Sequence, residues 1–258
     1  MFKIKKHYFD GIDKNGNAII IYAAEMSFLG LKIPYSSYII SDSKGVFEKA
    51  FLKKGQSINQ SKLTFFLNNN SQIFGNWEKI DEGFSENLHE INGKILIWNC
   101  HHPKANFEVR CEEFFFSGLG YAETLDLNFA PWKLPISELK WGRFLSENNT
   151  IVWIEWLGKK PLKKVYWNGK LQENAEITEL GITFENQEAK LIFENPQIIK
   201  DEPLLKIANR FPFLKIFFSK QFLQTQETKY KSKSIFLHHN EKELGWSLYE
   251  TVLWKSSN

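Results

Sequence analysis

Cysteine is scarce, with only Cys100 and Cys111. Two are too few for a disulfide framework, and the N-terminus lacks the charged, apolar and small-residue sections of a signal peptide. Both absences lead us to expect a reducing, cytoplasmic setting. No apolar run approaches the ~20 residues of a membrane helix. The nearest, Ile207 to Phe218, is interrupted by Arg210, Pro212 and Lys215. Charge of one sign is lacking too, with a formal net charge of +3 and no local basic stripe, so nucleic acid is not an expected partner. There is no Gly-rich phosphate loop, no dinucleotide fingerprint and no G-x-S-x-G elbow, because Ser117 stands outside the pair Gly118 and Gly120. Nucleotide and serine-hydrolase chemistry are thereby excluded, and no cofactor is expected.

Cys100-His-His102, Cys111 and His238-His239 are the residue types zinc prefers. On a strand, however, His101 faces away from Cys100 and His102, and His238 away from His239. Neither C-x-x-C nor H-x-x-x-H occurs, so no metal site is expected.

What the chain has in excess is aromatic bulk, with 23 Phe and 9 Trp. Such bulk fills a thick β core or lines an apolar cavity. His7 to Tyr22 reads as two β-rich runs joined by Asp13-Lys-Asn-Gly16, where glycine supplies the positive φ of a tight hairpin. Similar punctuation recurs at Ser43-Lys-Gly45, Asn68-Asn-Asn70, Asn92-Gly93, Pro103-Lys-Ala-Asn106, Asn148-Asn149, Asn168-Gly169 and Asn186-Gln187. Turns at this spacing predict an all-β, antiparallel barrel or sandwich. Helix is expected only as a short turn within Pro135 to Phe144 and a turn or two within Glu202 to Phe222, where Pro212 interrupts the pattern. About eight strands precede Ser117-Gly118 and a similar number follow, so the expected domains are residues 1–117 and 118–258.

Alternation yields finer expectations. Lys229, Lys231 and Lys233 share a face, read as a solvated one. Trp153 and Glu155 share one face, and Val152, Ile154 and Trp156 the other. With Glu155 outside, Trp156 points inward and Trp153 outward. Glu123 and Arg143 are each bracketed by bulky apolar or aromatic residues, and an unpaired buried charge is costly. The two are therefore expected to pair inside the C-terminal half, as the polar focus of a cavity lined by some of Trp132, Trp141, Trp153, Trp156 and Trp167.

Gly118-Leu-Gly-Tyr121, Leu139-Lys-Trp-Gly-Arg-Phe-Leu145, the opening Tyr8-Phe-Asp10 and the closing Gly245-Trp-Ser-Leu-Tyr-Glu250 together resemble the lipocalin-like family of carotenoid 1,2-hydratases (hydroxyneurosporene synthases). Tocopherol cyclases and certain fungal Diels–Alderases look related to it. The resemblance implies two consecutive calycin-type β-barrel domains around an apolar cavity that takes an isoprenoid or another hydrophobic molecule. Where the hydratase branch carries a His/Asp-rich stretch ending in Asn-Trp-Gly, this chain reads Tyr121-Ala-Glu-Thr-Leu-Asp-Leu-Asn-Phe-Ala-Pro-Trp132. Glu123 and Asp126 are its only acids.

Three functions follow. In the first, Glu123, with the Tyr121 hydroxyl beside it, protonates a double bond during hydration, cyclisation or isomerisation, while Arg143, Trp141, Trp156 and Trp132 hold the ligand. In the second, the same cavity belongs to a non-catalytic carrier of an apolar ligand. In the third, the aromatics merely fill two cores.

Overall fold

A computed structural model of the chain describes residues 2–54, 57–66, 72–185, 188–239 and 241–255. The chain divides into two compact units, Met1–Ala130 and Pro131–Asn258. The first comprises β1 (Lys3–Asp13), β2 (Ala18–Phe28), β3 (Leu31–Asp42), β4 (Gly45–Phe51), β5 (Ser57–Ile58), β6 (Lys62–Phe66), β7 (Gln72–Lys79), β8 (Phe84–Ile91), β9 (Lys94–Cys111) and β10 (Phe114–Leu127). These form one antiparallel sheet in the order β4-β3-β2-β1-β10-β9-β7-β6-β5, with β8 also paired to β9.

The second unit comprises β11 (Ile136–Leu145), β12 (Thr150–Gly158), β13 (Leu162–Trp167), β14 (Lys170–Leu171), β15 (Ala175–Thr178), β16 (Gly181–Phe184), β17 (Ala189–Pro203), β18 (Gln226–His238) and β19 (Glu241–Leu253). Its order is β14-β13-β12-β11-β19-β18-β17-β16-β15. Each unit thus sets its first strand between its second and its last, and each sheet curls into a half-barrel.

Helix is confined to the second unit among the described residues. A 3-10 turn spans Pro131–Lys133, and β17 and β18 are linked by α1 (Leu204–Arg210), a second 3-10 segment (Pro212–Phe217) and α2 (Lys220–Leu223). Pro212 ends α1 by removing a donor and opens the 3-10 segment that follows. No helix is long and apolar enough to cross a membrane.

The turns are set by local chemistry. Between β1 and β2, the Asp13 carboxylate accepts the backbone N–H groups of Asn15 and Asn17, and Gly16 takes φ +82°. Asn92-Gly93 and Asn168-Gly169 both adopt positive φ, the signature of the tight hairpin turn whose twist matches the strands. Asn68-Asn-Asn70 and Asn186-Gln187 lie outside the described residues. Pro103-Lys-Ala-Asn106 is not a turn but the middle of β9. The β9–β10 register shifts there, with Gly120 opposite Ala105 but Ala122 opposite His102. The turn residues therefore mark a bulge that bends a long strand. The expected boundary at Ser117-Gly118 falls inside β10, and the division between units comes after that strand ends.

Alternation gives each sheet a core face. In the first unit Phe9, Ile19, Ile21, Tyr38, Trp77 and Phe107 pack together. Gly120 makes room for this packing, because a Cβ there would sit 2.5 Å from the Asp10 carbonyl and 2.8 Å from the Trp77 indole nitrogen. The Trp77 N–H donates to that same carbonyl at 2.8 Å.

In the second unit the core holds Phe144, Ile151, Trp153, Val165, Trp167 and Phe236. Trp153 therefore points into the core, contrary to the expectation that put it outside. Its ring stacks near Phe193, with centroids 5.7 Å apart, over Gly142, where a Cβ would meet Trp153 Cζ2 at 2.4 Å. Glu155 shares that face but lies toward the strand end, 3.8 Å from the Lys140 ammonium, which lets it reach solvent while Trp153 stays buried. The lysine face is also solvated only at Lys233. Lys229 and Lys231 are buried, and the Lys229 ammonium is held by Glu250 and, at 2.9 Å, by Glu227.

Candidate functional site

Two groupings of polar side chains stand on opposite faces of β10. The first lies on the face away from the core of the first unit. In the β1–β10 register Tyr8 is opposite Glu123 and Asp10 opposite Tyr121, and in β9–β10 Glu123 is opposite Cys100. Residues directly opposite share a face, so Tyr8, Asp10, Cys100, Tyr121 and Glu123 form one patch, and all are buried.

Glu123 is its centre. Tyr121 Oη donates to Glu123 Oε2 at 2.7 Å and Trp98 Nε1 donates to the same oxygen at 2.5 Å. Both of these hydrogen bonds fall on Oε2. Burial pushes the Glu123 carboxyl above the usual carboxylate range. The Lys6 charge and the two hydrogen bonds oppose that shift, and the Asp10 charge adds to it. The Tyr8 hydroxyl donates to Asp10 Oδ2 at 2.9 Å. The Cys100 thiol and the Tyr121 hydroxyl are both driven well above their ordinary range, chiefly by burial, so neither is an anion near neutral pH.

The chemistry of this arrangement is that of a neutral acid. When a buried carboxyl holds a proton and one oxygen already accepts two donors, the proton belongs on the other oxygen. Oε1 is then the atom from which a proton can leave.

The remaining candidates lie in the second unit. Arg143 is buried on β11 and donates from Nη1 to the Trp246 carbonyl at 2.9 Å. Glu123 belongs to the first unit and Arg143 to the second, so Glu123 does not lie inside the C-terminal half as expected. The two donors to its carboxyl, Tyr121 and Trp98, come from its own sheet. Leu139 is opposite Trp156, and Trp141 opposite Ile154. Trp141, Arg143 and Trp156 therefore share one face, away from Trp153. Trp156 donates to the Lys160 carbonyl at 2.7 Å. Trp132 stands apart from them, its ring 6.2 Å from Phe218 and 6.0 Å from Phe222 between centroids.

The second grouping was not foreseen. On the core face of the first unit the apolar stripe ends at Phe9, and His7 and Lys5 continue it into an open cleft of about 670 Å³. His101, Thr124 and Asp126 also line the cleft. The signal was present in the alternation of β10, where Thr124 and Asp126 flank Leu125 on the face opposite Glu123. What set the histidines aside was the rejection of a metal site. Among the described residues no three His, Cys, Asp or Glu side chains are grouped so as to hold a metal ion.

No protein-family model matches the chain, and no curated protein sequence does either. Solved structures do. CghA with Sch210972 superposes with a TM-score of 0.59 at 9% identity, covering 100% of this chain and 90% of that one. Kievitone hydratase from Nectria haematococca superposes with a TM-score of 0.56 at 9% identity, covering 98% and 89%. The fold is all-β and lipocalin-like, in two domains. Identity at this level speaks for the fold alone, so activity must be argued from the site.

Proposed function

We propose that this lipocalin-like protein binds a small, largely hydrophobic molecule and converts it by acid catalysis, with Glu123 as proton donor. The observation that supports this most is the state of Glu123. It is a buried carboxyl whose pKa burial raises above the usual range, with two neutral donors that both fall on Oε2. A general acid works best when its pKa is raised toward the operating pH.

Protonation of a carbon–carbon double bond at Oε1 would leave a carbocation. Addition of water with loss of its proton to the Glu123 carboxylate gives hydration, capture by a second double bond followed by loss of a proton to the carboxylate gives cyclisation, and direct loss of a neighbouring proton to it gives isomerisation. Tyr121 and Trp98 stabilise the carboxylate that forms, since both already point at it. The neighbours of this fold include a hydratase by name, which favours this class of chemistry over others. An isoprenoid-like substrate belongs to the same reading.

The test has two steps. Hydrophobic molecules co-purifying with the protein are extracted and identified by mass spectrometry. Each is then returned to the protein in D2O. The reading expects deuterium at a carbon of the product, lost in Glu123→Gln while the ligand still binds. Binding with no turnover by the wild type would instead make the protein a carrier, and no binding of any apolar molecule would remove both.

A further inference from the structure

The cleft on the core face of the first unit is independent of the Glu123 patch, because alternation along β10 sends Thr124 and Asp126 to the other side of the sheet from Glu123. Its lining is mostly polar, with Ile58 the one fully apolar side chain among the described residues. Amides, hydroxyls, imidazoles and charges supply the rest, within the volume range of small-molecule sites.

At its floor, Thr124 Oγ1 lies 2.8 Å from His101 Nε2 and 3.0 Å from His7 Nδ1. A hydroxyl has one proton to give, so at least one of the two rings donates to Oγ1, and in the neutral rings at least one of the two remaining ring nitrogens is bare. The charges facing this chain are Lys5 from β1, Asp126 from β10 and Lys62 from β6, with His102 of β9 beside His101. Two ammonium groups against one carboxylate leave the cleft net positive, and Lys5 reaches Asp126 only at 3.9 Å.

We propose that this cleft is a second binding site, which takes a small hydrophilic organic acid, its carboxylates held by Lys5 and Lys62 and its hydroxyl or second carboxylate by the His7–Thr124–His101 chain. Binding is coupled to proton uptake. In the free protein both rings are held neutral, His101 down to about 4, by burial first and then by neighbouring imidazoles and the Lys5 charge. A bound carboxylate reverses the electrostatic part of that shift, and a bare nitrogen accepts a proton.

Histidine ring signals followed by NMR test this, with citrate as the probe, its neutral triethyl ester as the uncharged counterpart and sodium chloride at matched ionic strength as control. Citrate should shift the His7 and His101 signals saturably and raise the pH at which both titrate. Lys5→Gln, a change at a half-exposed side chain, should weaken citrate several-fold, and Thr124→Val should uncouple the two rings so that they titrate separately. Shifts no larger than those from chloride, equal binding of the triethyl ester, or undiminished affinity in Lys5→Gln would overturn the proposal. Inorganic phosphate binding as well as citrate would overturn the assignment to an organic acid. None of these outcomes bears on turnover at Glu123, so the two sites stand or fall separately.

Discussion

Glu123 shows how an environment assigns a role to a carboxyl. Its folded pKa is raised, so the folded state binds the proton more tightly than the unfolded one, and stability falls as pH rises from about 4.5 through the folded value. Glu123→Gln, which keeps the shape and is always neutral, should therefore be more stable than wild type at neutral pH. The gain is about 1.4 kcal/mol for each unit of the raised pKa, read from urea unfolding. A loss of stability would mean that the carboxylate is structurally required. His101 has the opposite sign. Its folded pKa is depressed from 6.5 to about 4, so its contribution is fully present above 6.5 and is lost as pH falls through that window. Thermal unfolding between pH 6.5 and 4 should show a shallower loss in His101→Gln than in wild type. Glu123 could be singled out from sequence because it sits among apolar residues on a readable strand. The His7–Thr124 contact could not, because 117 positions separate the two residues and only strand pairing joins them.

Strand elements account for the glycines and for the buried charges. Gly142 was legible only as part of the stretch Leu139-Lys-Trp-Gly-Arg-Phe-Leu145, and the structure supplies its reason, which is the Trp153 ring lying across it. Gly142→Ala would drive a methyl into that ring and into Tyr249, and should destabilise by about 1–3 kcal/mol as an overpacked core does. Chemical denaturation with an unchanged midpoint would contradict that packing. The inward turn of Trp153 escaped the sequence because Glu155 shares its face, and the position of Glu155 near the strand end was not visible from alternation alone. Lys229 was misread for a related reason. Three lysines in alternation resemble a wet face, and of the two acids that neutralise Lys229 one, Glu250, is brought to it only by the pairing with β19, while the other, Glu227, lies two residues away on β18 itself. Lys229→Ala strips the cation from Glu227 and Glu250 and should cost about 3–5 kcal/mol, the scale for a buried pair broken on one side. A change of a few tenths would show the cluster to be solvated.

Across the whole molecule, turn spacing and β-rich runs were enough to read an all-β chain in two domains, since hairpin chemistry is local and repeats at each Asn-Gly. The end of the first unit was harder, because β10 passes through Ser117-Gly118 without a break, and glycine there serves close strand approach rather than a linker. Both units follow the same plan, with the first strand set beside the last, although no residue-level repeat betrays it. That pairing of β1 with β10 assembles the Tyr8, Asp10, Tyr121 and Glu123 patch on one face and the histidine cleft on the other. The account rests on Glu123 being a proton-holding acid within this frame. Carbon-13 NMR of side-chain carboxyls, comparing wild type with Glu123→Gln to assign the signal, tests it most directly. The account predicts one glutamate carboxyl, missing in the variant, that titrates well above 4.5. A Glu123 signal that titrates at or below that value would contradict it.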